Sequence, residues 1–260
     1  MLQVRHVFEE HKEEINYFYS FLEDLLIHDG RLVIDPPVNT IKTIKVETIA
    51  VLKSSFFLML YNCIESTVSN CLKAALQAVE TDNCKYIDLN ESLKLSSLAA
   101  YDYMVQQAET KEIRNKMLKE QNDFSSGYAT LRIELKPFVG STAQGTFSGS
   151  LDAEAIQKHF ARLGLDTSTM SCTEMRSIKS CRNKLAHGDC SFEEYGRNLT
   201  IQYIEVCKDR TLTYLESLIN KVDVYIQVKD YRRHDETIEK MGFLSRILLH
   251  PINTFLSLFK

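Results

Sequence analysis

The sequence predicts an all-α fold, and three observations carry that expectation. Gly and Pro, the residues that punctuate turns and sheets, number only nine and four in 260. Apolar residues recur at spacings near 3.6 over several long stretches. The apolar share of 44% is enough to give those helices a common core. The expected organisation is one helical domain over residues 1–235, with one inserted Gly/Ser-rich loop at about 124–150, and an apolar tail over 236–260.

Residues 6–27 place Phe8, Ile15, Phe18, Leu22, Leu25 and Leu26 on a helical period with acids between them. The run ends at His28-Asp29-Gly30, where Gly can take a left-handed cap. Residues 31–39, with Pro36-Pro37, read as a connector. Residues 46–79 form the longest helical stretch, and its middle at 50–60 is apolar on nearly all sides, as a central buried helix is. Asn62, Glu65, Ser66, Ser69 and Asn70 then follow at helical spacing. This polar stripe is either a solvated edge or a set in which Glu65 or Asn62 faces a functional site, because buried polar groups need partners.

A helix over 89–108 precedes a charged, solvated helix over 111–123. Residues 124–150 carry Gly127, Pro137, Gly140, Gly145 and Gly149 among Ser and Thr, and read as the main loop with a short strand at 128–135. Gly145 and Gly149 lack the following Lys-Ser/Thr and the strand–helix setting of a phosphate-binding loop. Helix returns at 151–163, capped by Ser150 or Asp152, and again at 173–187. Ser191-Phe192-Glu193-Glu194 is a capping-box pattern for a short helix. Thr200 caps a final helix to about residue 231, with a core face of Ile201, Ile204, Leu212, Leu215, Ile219, Val222 and Ile226.

Composition bounds the function. The formal net charge is −4, so no global field draws nucleic acid, and an RNA site must be a local basic patch. The seven cysteines are odd in number, irregular in spacing and without a C-x-x-C, which argues against a disulfide framework and against a zinc site. Reduced thiols in a cytoplasmic protein are the simplest reading. His6, His11, His28, His159 and His234 are scattered without ligand spacing and are expected to be solvated; no metal and no cofactor is expected. Residues 1–10 have no apolar h-region, so no signal peptide is expected, and no uninterrupted apolar run reaches the roughly 18–20 residues that span a bilayer. The tail at 241–259 has Arg246 as its only formal charge and is interrupted by Pro251. It reads as a final helix on the core, a partner-binding segment or an interfacial membrane anchor. Tyr231-Arg232-Arg233-His234 reads as dipole capping of a helix end or as an RNA contact.

The richest stretch is Arg182-Asn183-Lys184-Leu185-Ala186-His187-Gly188-Asp189. On a wheel of about 100° per residue, Met175, Ile178, Cys181 and Leu185 make a core stripe. Arg176, Lys179, Asn183 and His187 cluster opposite, and Arg182 lies on the border. Arg176, Lys179, Arg182 and Lys184 are four cations with no acid between them, the nearest thing here to an RNA footprint. An imidazole moves a proton and a guanidinium holds phosphate charge, so the two together can cleave RNA without a metal. Asn183 and His187 are four apart and share a face, which places Asn183 to orient the imidazole. Arg182 and His187 are five apart and diverge by about 140° on an ideal helix. A break at Gly188, or a second copy of the motif from another subunit, is needed to bring both onto one phosphate. The helix dipole alone also favours a His before a C-terminal Gly.

The segment CRNKLAHGDCSFEEYG, from Cys181 to Gly196, resembles the HEPN superfamily, and within it a bacterial HEPN-like nuclease family of the form R-N-x-L-A-H-G-D followed by S-F-x-E-x-G-R. The likeness runs on through Arg197 and Thr200, and weaker matches lie upstream at residues 147–153 and 60–67. The resemblance implies an all-α HEPN-like bundle of long helices that dimerises through the motif helices and builds a composite cleft. It implies metal-independent RNA cleavage, in phage defence or in a toxin–antitoxin system. By position, Arg182 and His187 match the catalytic pair, and Asn183 the polar residue after the Arg. Arg176, Lys179 and Lys184 are expected on flanking phosphates, with Glu65, Asn62 and Asp189 as supporting residues. Some HEPN toxins have a Tyr two positions after the His; Asp189 stands there in this chain. The expected partners are an RNA substrate, a second copy of the chain, and an antitoxin or defence protein. HEPN domains without nuclease activity exist, and a non-catalytic dimerisation module that regulates a partner is the alternative.

Overall fold

In the computed structural model, the described residues are 1–28, 31–34, 40–106, 110–112, 115 and 151–233. The expected loop at 124–150 with its strand, most of the charged stretch at 111–123, and the tail at 236–260 lie outside them. In chain order the elements are α1 (Leu2–Ile27), β1 (Arg31–Ile34), β2 (Thr40–Thr43), α2 (Val46–Thr81), a 3-10 turn (Tyr86–Asp88), α3 (Glu91–Gln106), α4 (Ala153–Ala161), α5 (Glu174–His187), α6 (Phe192–Arg197) and α7 (Ile201–Gln227).

The protein is all-α, as the periodicity predicts, with one local departure. Part of the expected connector at 31–39 is strand. β1 pairs antiparallel with β2, with Arg31 opposite Thr43 and Ile34 opposite Thr40. Val33, Ile34, Thr40, Ile41 and Thr43 are β-branched and favour that pairing on either side of the proline pair. α1 starts four residues early because Val4 is buried with Phe8 and extends the apolar stripe.

α2 organises the molecule. It packs against α1, α5, α6 and α7, while α1 and α5 also meet α7. Its buried residues include Phe56, Phe57, Leu60, Tyr61, Ile64, Val68 and Leu72, so apolar side chains point several ways from one axis. By length and composition α2 would suffice to cross a membrane; half of its most apolar stretch is buried, and the helix packs against four others. On α7, Ile204, Leu212, Leu215, Ile219 and Val222 are buried, and Ile201 and Ile226 pack half-buried beside them.

The short helix α6 sits on α2 at backbone distance. A Cβ built on Gly196 would stand 1.8 Å from the carbonyl oxygen of Ala50. Lys53 Nζ donates to Leu199 O at 2.8 Å, and the buried Ser54 hydroxyl donates to Phe192 O at 2.7 Å. The Phe57 ring lies 6.4 Å from Tyr195 and 6.3 Å from Tyr203. The Ser191 and Thr200 side chains cap α6 and α7 as their spacing predicts, accepting from Glu194 N at 3.1 Å and Tyr203 N at 3.2 Å.

One end of the bundle is closed by two polar devices. Asn90 donates from its amide to Leu163 O and Asp230 O, both at 2.9 Å, and accepts from Leu93 N at 2.8 Å to cap α3. Asp82 receives Lys229 Nζ at 2.6 Å, Arg232 Nε at 2.7 Å and the Tyr231 hydroxyl at 3.2 Å. The basic cluster at 231–234 is therefore engaged, in its described part, by an ion pair. His11 and His159 are half-buried rather than solvated.

The hydrogen bond from Lys229, helped by Arg232 and opposed by burial, holds the Asp82 carboxyl down at about 2, below its ordinary 3.8. A depressed carboxylate stabilises the fold fully above its ordinary pKa and loses that contribution as pH falls through the folded value. Asp82→Asn is expected to lower stability by about 1–2 kcal/mol at pH 7, the partial exposure of the group limiting the effect. The gap from wild type should shrink below pH 4 and close near pH 2. Urea unfolding at pH 7, 4 and 2 measures it, and a gap that persists at pH 2 would contradict the ion-pair account.

Candidate active site

α5 is placed by its apolar stripe. Met175, Ile178 and Cys181 are fully buried, and Leu185 packs half-buried on the same core. Glu174 in the first turn and Lys184 and His187 in the last suit the helix dipole. Gly188 ends the helix at φ +75°, where a Cβ is disfavoured. Its N–H reaches Leu185 O at 3.3 Å and that of Asp189 reaches Lys184 O at 2.9 Å, the two closing bonds of a Schellman cap.

The first half of α5 is gripped by polar contacts. Glu174 pairs with Arg210 at 2.8 Å. Ser177 accepts from the Tyr195 hydroxyl at its carbonyl, 3.3 Å, and from the Tyr203 hydroxyl at Oγ, 2.8 Å. Lys179 pairs with Asp152, which also caps α4 by accepting from Ala155 N at 2.9 Å. Of the two caps expected for α4, Asp152 is thus the one that caps it. Burial works against the Asp152 charge, but Lys179, the Ala155 N–H and Arg176 outweigh it and hold the carboxyl below the usual range.

Arg182 is half-buried, with its guanidinium 5.5 Å from the centroid of the Tyr61 ring. Tyr61 is 1% exposed, and its hydroxyl accepts from Leu151 N at 3.2 Å. Burial pushes the phenol well above its ordinary range; the Glu65 carboxylate adds to this, and the Leu151 N–H and Arg182 pull it back. Glu65 is therefore coupled to the Arg182 neighbourhood through Tyr61, whereas Asn62 lies exposed on α2.

Asn183 Oδ1 accepts from Arg182 Nη1 at 3.4 Å, a weak bond. Its described partner is thus the guanidinium, not the imidazole that the four-residue spacing suggested. His187, Lys184 and Asp189 are exposed. α5 stays helical through His187, so Arg182 and His187 leave the axis about 140° apart and do not share a face on one chain. Among the expected phosphate-binding cations, Arg176 and Lys184 are exposed and Lys179 is engaged by Asp152. Arg176 lies about 16 Å along the helix from His187, beside a polar cleft of 220 Å³ lined also by Asp152, Glu154, Gln157 and Thr173.

Sequence reasoning missed Tyr61, Leu151 and Tyr195. Tyr61 was within reach, since it stands four residues before Glu65 and shares its helix face. The contacts of Leu151 and Tyr195 depend on tertiary packing alone. Burial pushes the Cys63 and Cys181 thiols up to about 12, so neither is a ready nucleophile. Among the described residues, no group of three or more His, Cys, Asp or Glu side chains is arranged to hold a metal ion.

A family model described as HEPN_MAE_28990-like HEPN matches residues 4–231 of the chain. No curated protein and no solved structure matches it.

Proposed function

The chain belongs to the HEPN_MAE_28990-like HEPN family, and from that membership we propose that it is a metal-independent endoribonuclease centred on the last two turns of α5. One observation supports this reading most. Arg182 is set half-buried over an aromatic ring, while His187, five residues on, is left exposed at the helix end. The pair suits a charge holder joined to a proton carrier, because the cation is held in place while the imidazole stays open to substrate.

In this reading the 2′-hydroxyl of a ribonucleotide attacks its own 3′-phosphate. A His187 imidazole takes the hydroxyl proton, and a second His187 imidazole returns a proton to the departing 5′-oxygen. An imidazole changes charge near neutral pH and can serve either way. Arg182 neutralises the charge that grows on the non-bridging oxygens through paired N–H donors. Lys184 and Arg176 hold flanking phosphates, and Lys179 keeps α5 against α4. Because the two groups diverge on one chain, the working site is composite, with Arg182 and His187 drawn from two α5 helices in a homodimer. The biological setting of this reading is bacterial phage defence or a toxin–antitoxin pair, in the cytoplasm.

The test is cleavage of pooled tRNA and mRNA in EDTA. The expected products end in 2′,3′-cyclic phosphate and 5′-hydroxyl, and DNA of the same sequence resists because it lacks the nucleophile. A strict Mg²⁺ requirement or 5′-phosphate ends would overturn the mechanism. No cleavage by a folded dimer would move the reading to a non-catalytic HEPN module.

A further inference from the structure

We infer that Tyr61 is a positioning residue: its buried ring is the platform that holds the Arg182 guanidinium in place for a phosphate. The inference rests on the nuclease reading and adds to it a residue of α2, far from the motif in sequence. An arginine on a surface helix samples many rotamers, and a catalytic one must be held near a single geometry. The ring that Arg182 covers has little freedom of its own. Tyr61 is among the largest fully buried side chains, its oxygen is tied to Leu151 N at 3.2 Å, and its phenol interacts with Glu65.

A guanidinium held 5.5 Å from a ring centroid by a cation–π contact spends none of its N–H donors on that contact, and a bidentate phosphate uses such donors. Only one described bond, the 3.4 Å contact to Asn183, draws on those donors. The arrangement also joins the motif helix to the start of α4. Leu151 holds the platform and its neighbour Asp152 holds Lys179, so two adjacent residues fix both the ring under Arg182 and the helix that carries it.

The test uses the full chain in four forms besides wild type: Tyr61→Phe, Tyr61→Leu, Arg182→Ala and the Tyr61→Leu/Arg182→Ala double variant. Folding of each is checked by thermal unfolding. Tyr61→Phe keeps the ring and should retain cleavage within about threefold, whereas Tyr61→Leu should lose about tenfold in kcat with KM little changed. In the Arg182→Ala background, Tyr61→Leu should cost nothing further.

A readout independent of activity is the Arg182 Nε–H resonance, assigned by its absence in Arg182→Lys. Ring current should displace it upfield in wild type and in Tyr61→Phe but not in Tyr61→Leu. An undisplaced resonance in wild type, a folded Tyr61→Leu with wild-type kcat, or additive losses in the double variant would overturn the inference. If wild type cleaves no RNA, the nuclease reading fails separately and the same variants are scored by affinity for a labelled single-stranded RNA. Weakening of Tyr61→Leu to the level of Arg182→Ala then supports the platform. Equal affinity of Tyr61→Leu and wild type, or no RNA binding at all, overturns it.

Discussion

His187→Ala is expected to lower RNA cleavage by roughly 10²–10⁴-fold, the range over which a positioned general acid or base contributes, and to leave the fold intact. His187 is exposed and ends the helix, and no hydrogen bond or ion pair among the described residues depends on it. Truncating an exposed side chain away from such contacts changes stability by about 0.5 kcal/mol or less, so the melting temperature should move by only a few degrees. Arg182→Ala should produce a loss of similar order, since it removes the charge holder. It should also destabilise slightly more, because it uncovers the Tyr61 ring. Initial rates in EDTA, together with thermal melts, separate these effects. Equal cleavage by wild type and a folded His187→Ala would end the nuclease reading and favour the interaction module.

Gly196→Ala should be the most damaging of the alanine substitutions at the described glycines. The new Cβ would stand 1.8 Å from the Ala50 oxygen and 2.6 Å from its carbonyl carbon, and both atoms belong to the backbone of α2, which cannot swing aside. α6 must therefore lift off α2. The Lys53–Leu199 and Ser54–Phe192 bonds and the Phe57–Tyr195 contact go with it. A loss of about 3 kcal/mol or more is expected, with a fall in melting temperature of roughly 6–12 °C. Gly188→Ala is the informative contrast. Gly188 has φ +75° but nothing within 4 Å of a new Cβ, so only the backbone preference is lost, about 1 kcal/mol. Equal losses in the two variants would mean that close approach is not what position 196 requires. Because Tyr195 also bonds Ser177, the Gly196 variant should lose cleavage as well, through displacement of α5.

The helices were legible wherever period and caps agreed. The stripe of Met175, Ile178, Cys181 and Leu185, the Gly188 terminus and the Ser191 and Thr200 caps are all legible in the sequence, because each follows a local rule. The hairpin was not, although its β-branched residues were in view, because the proline pair was read as the stronger signal. For the candidate site, the motif singles out Arg182 and His187, and the polar stripe on α2 offers Glu65. The bond of Asn183 is not legible in its spacing, because i, i+4 proximity names one neighbour while Asn183 Oδ1 accepts from another, Arg182. The sequence offers Lys179 to a flanking phosphate, since nothing local shows that Asp152, twenty-seven residues away, stands opposite it. Tyr61 escaped because a tyrosine in an apolar run reads as core. It is core, and it also carries the arginine.

The uneven grip on α5 has an evolutionary consequence. Glu174, Ser177 and Lys179 moor one half of the helix, while Lys184, His187 and Asp189 project from its free end like the tip of a cantilever. On the nuclease reading, substitutions at the tip subtract chemistry without subtracting structure. On that reading a lineage can silence the protein in one step and still inherit a folded chain. In a composite dimer, such a chain would assemble with an intact copy and disable it, so an inactive allele would act as an inhibitor of the active one.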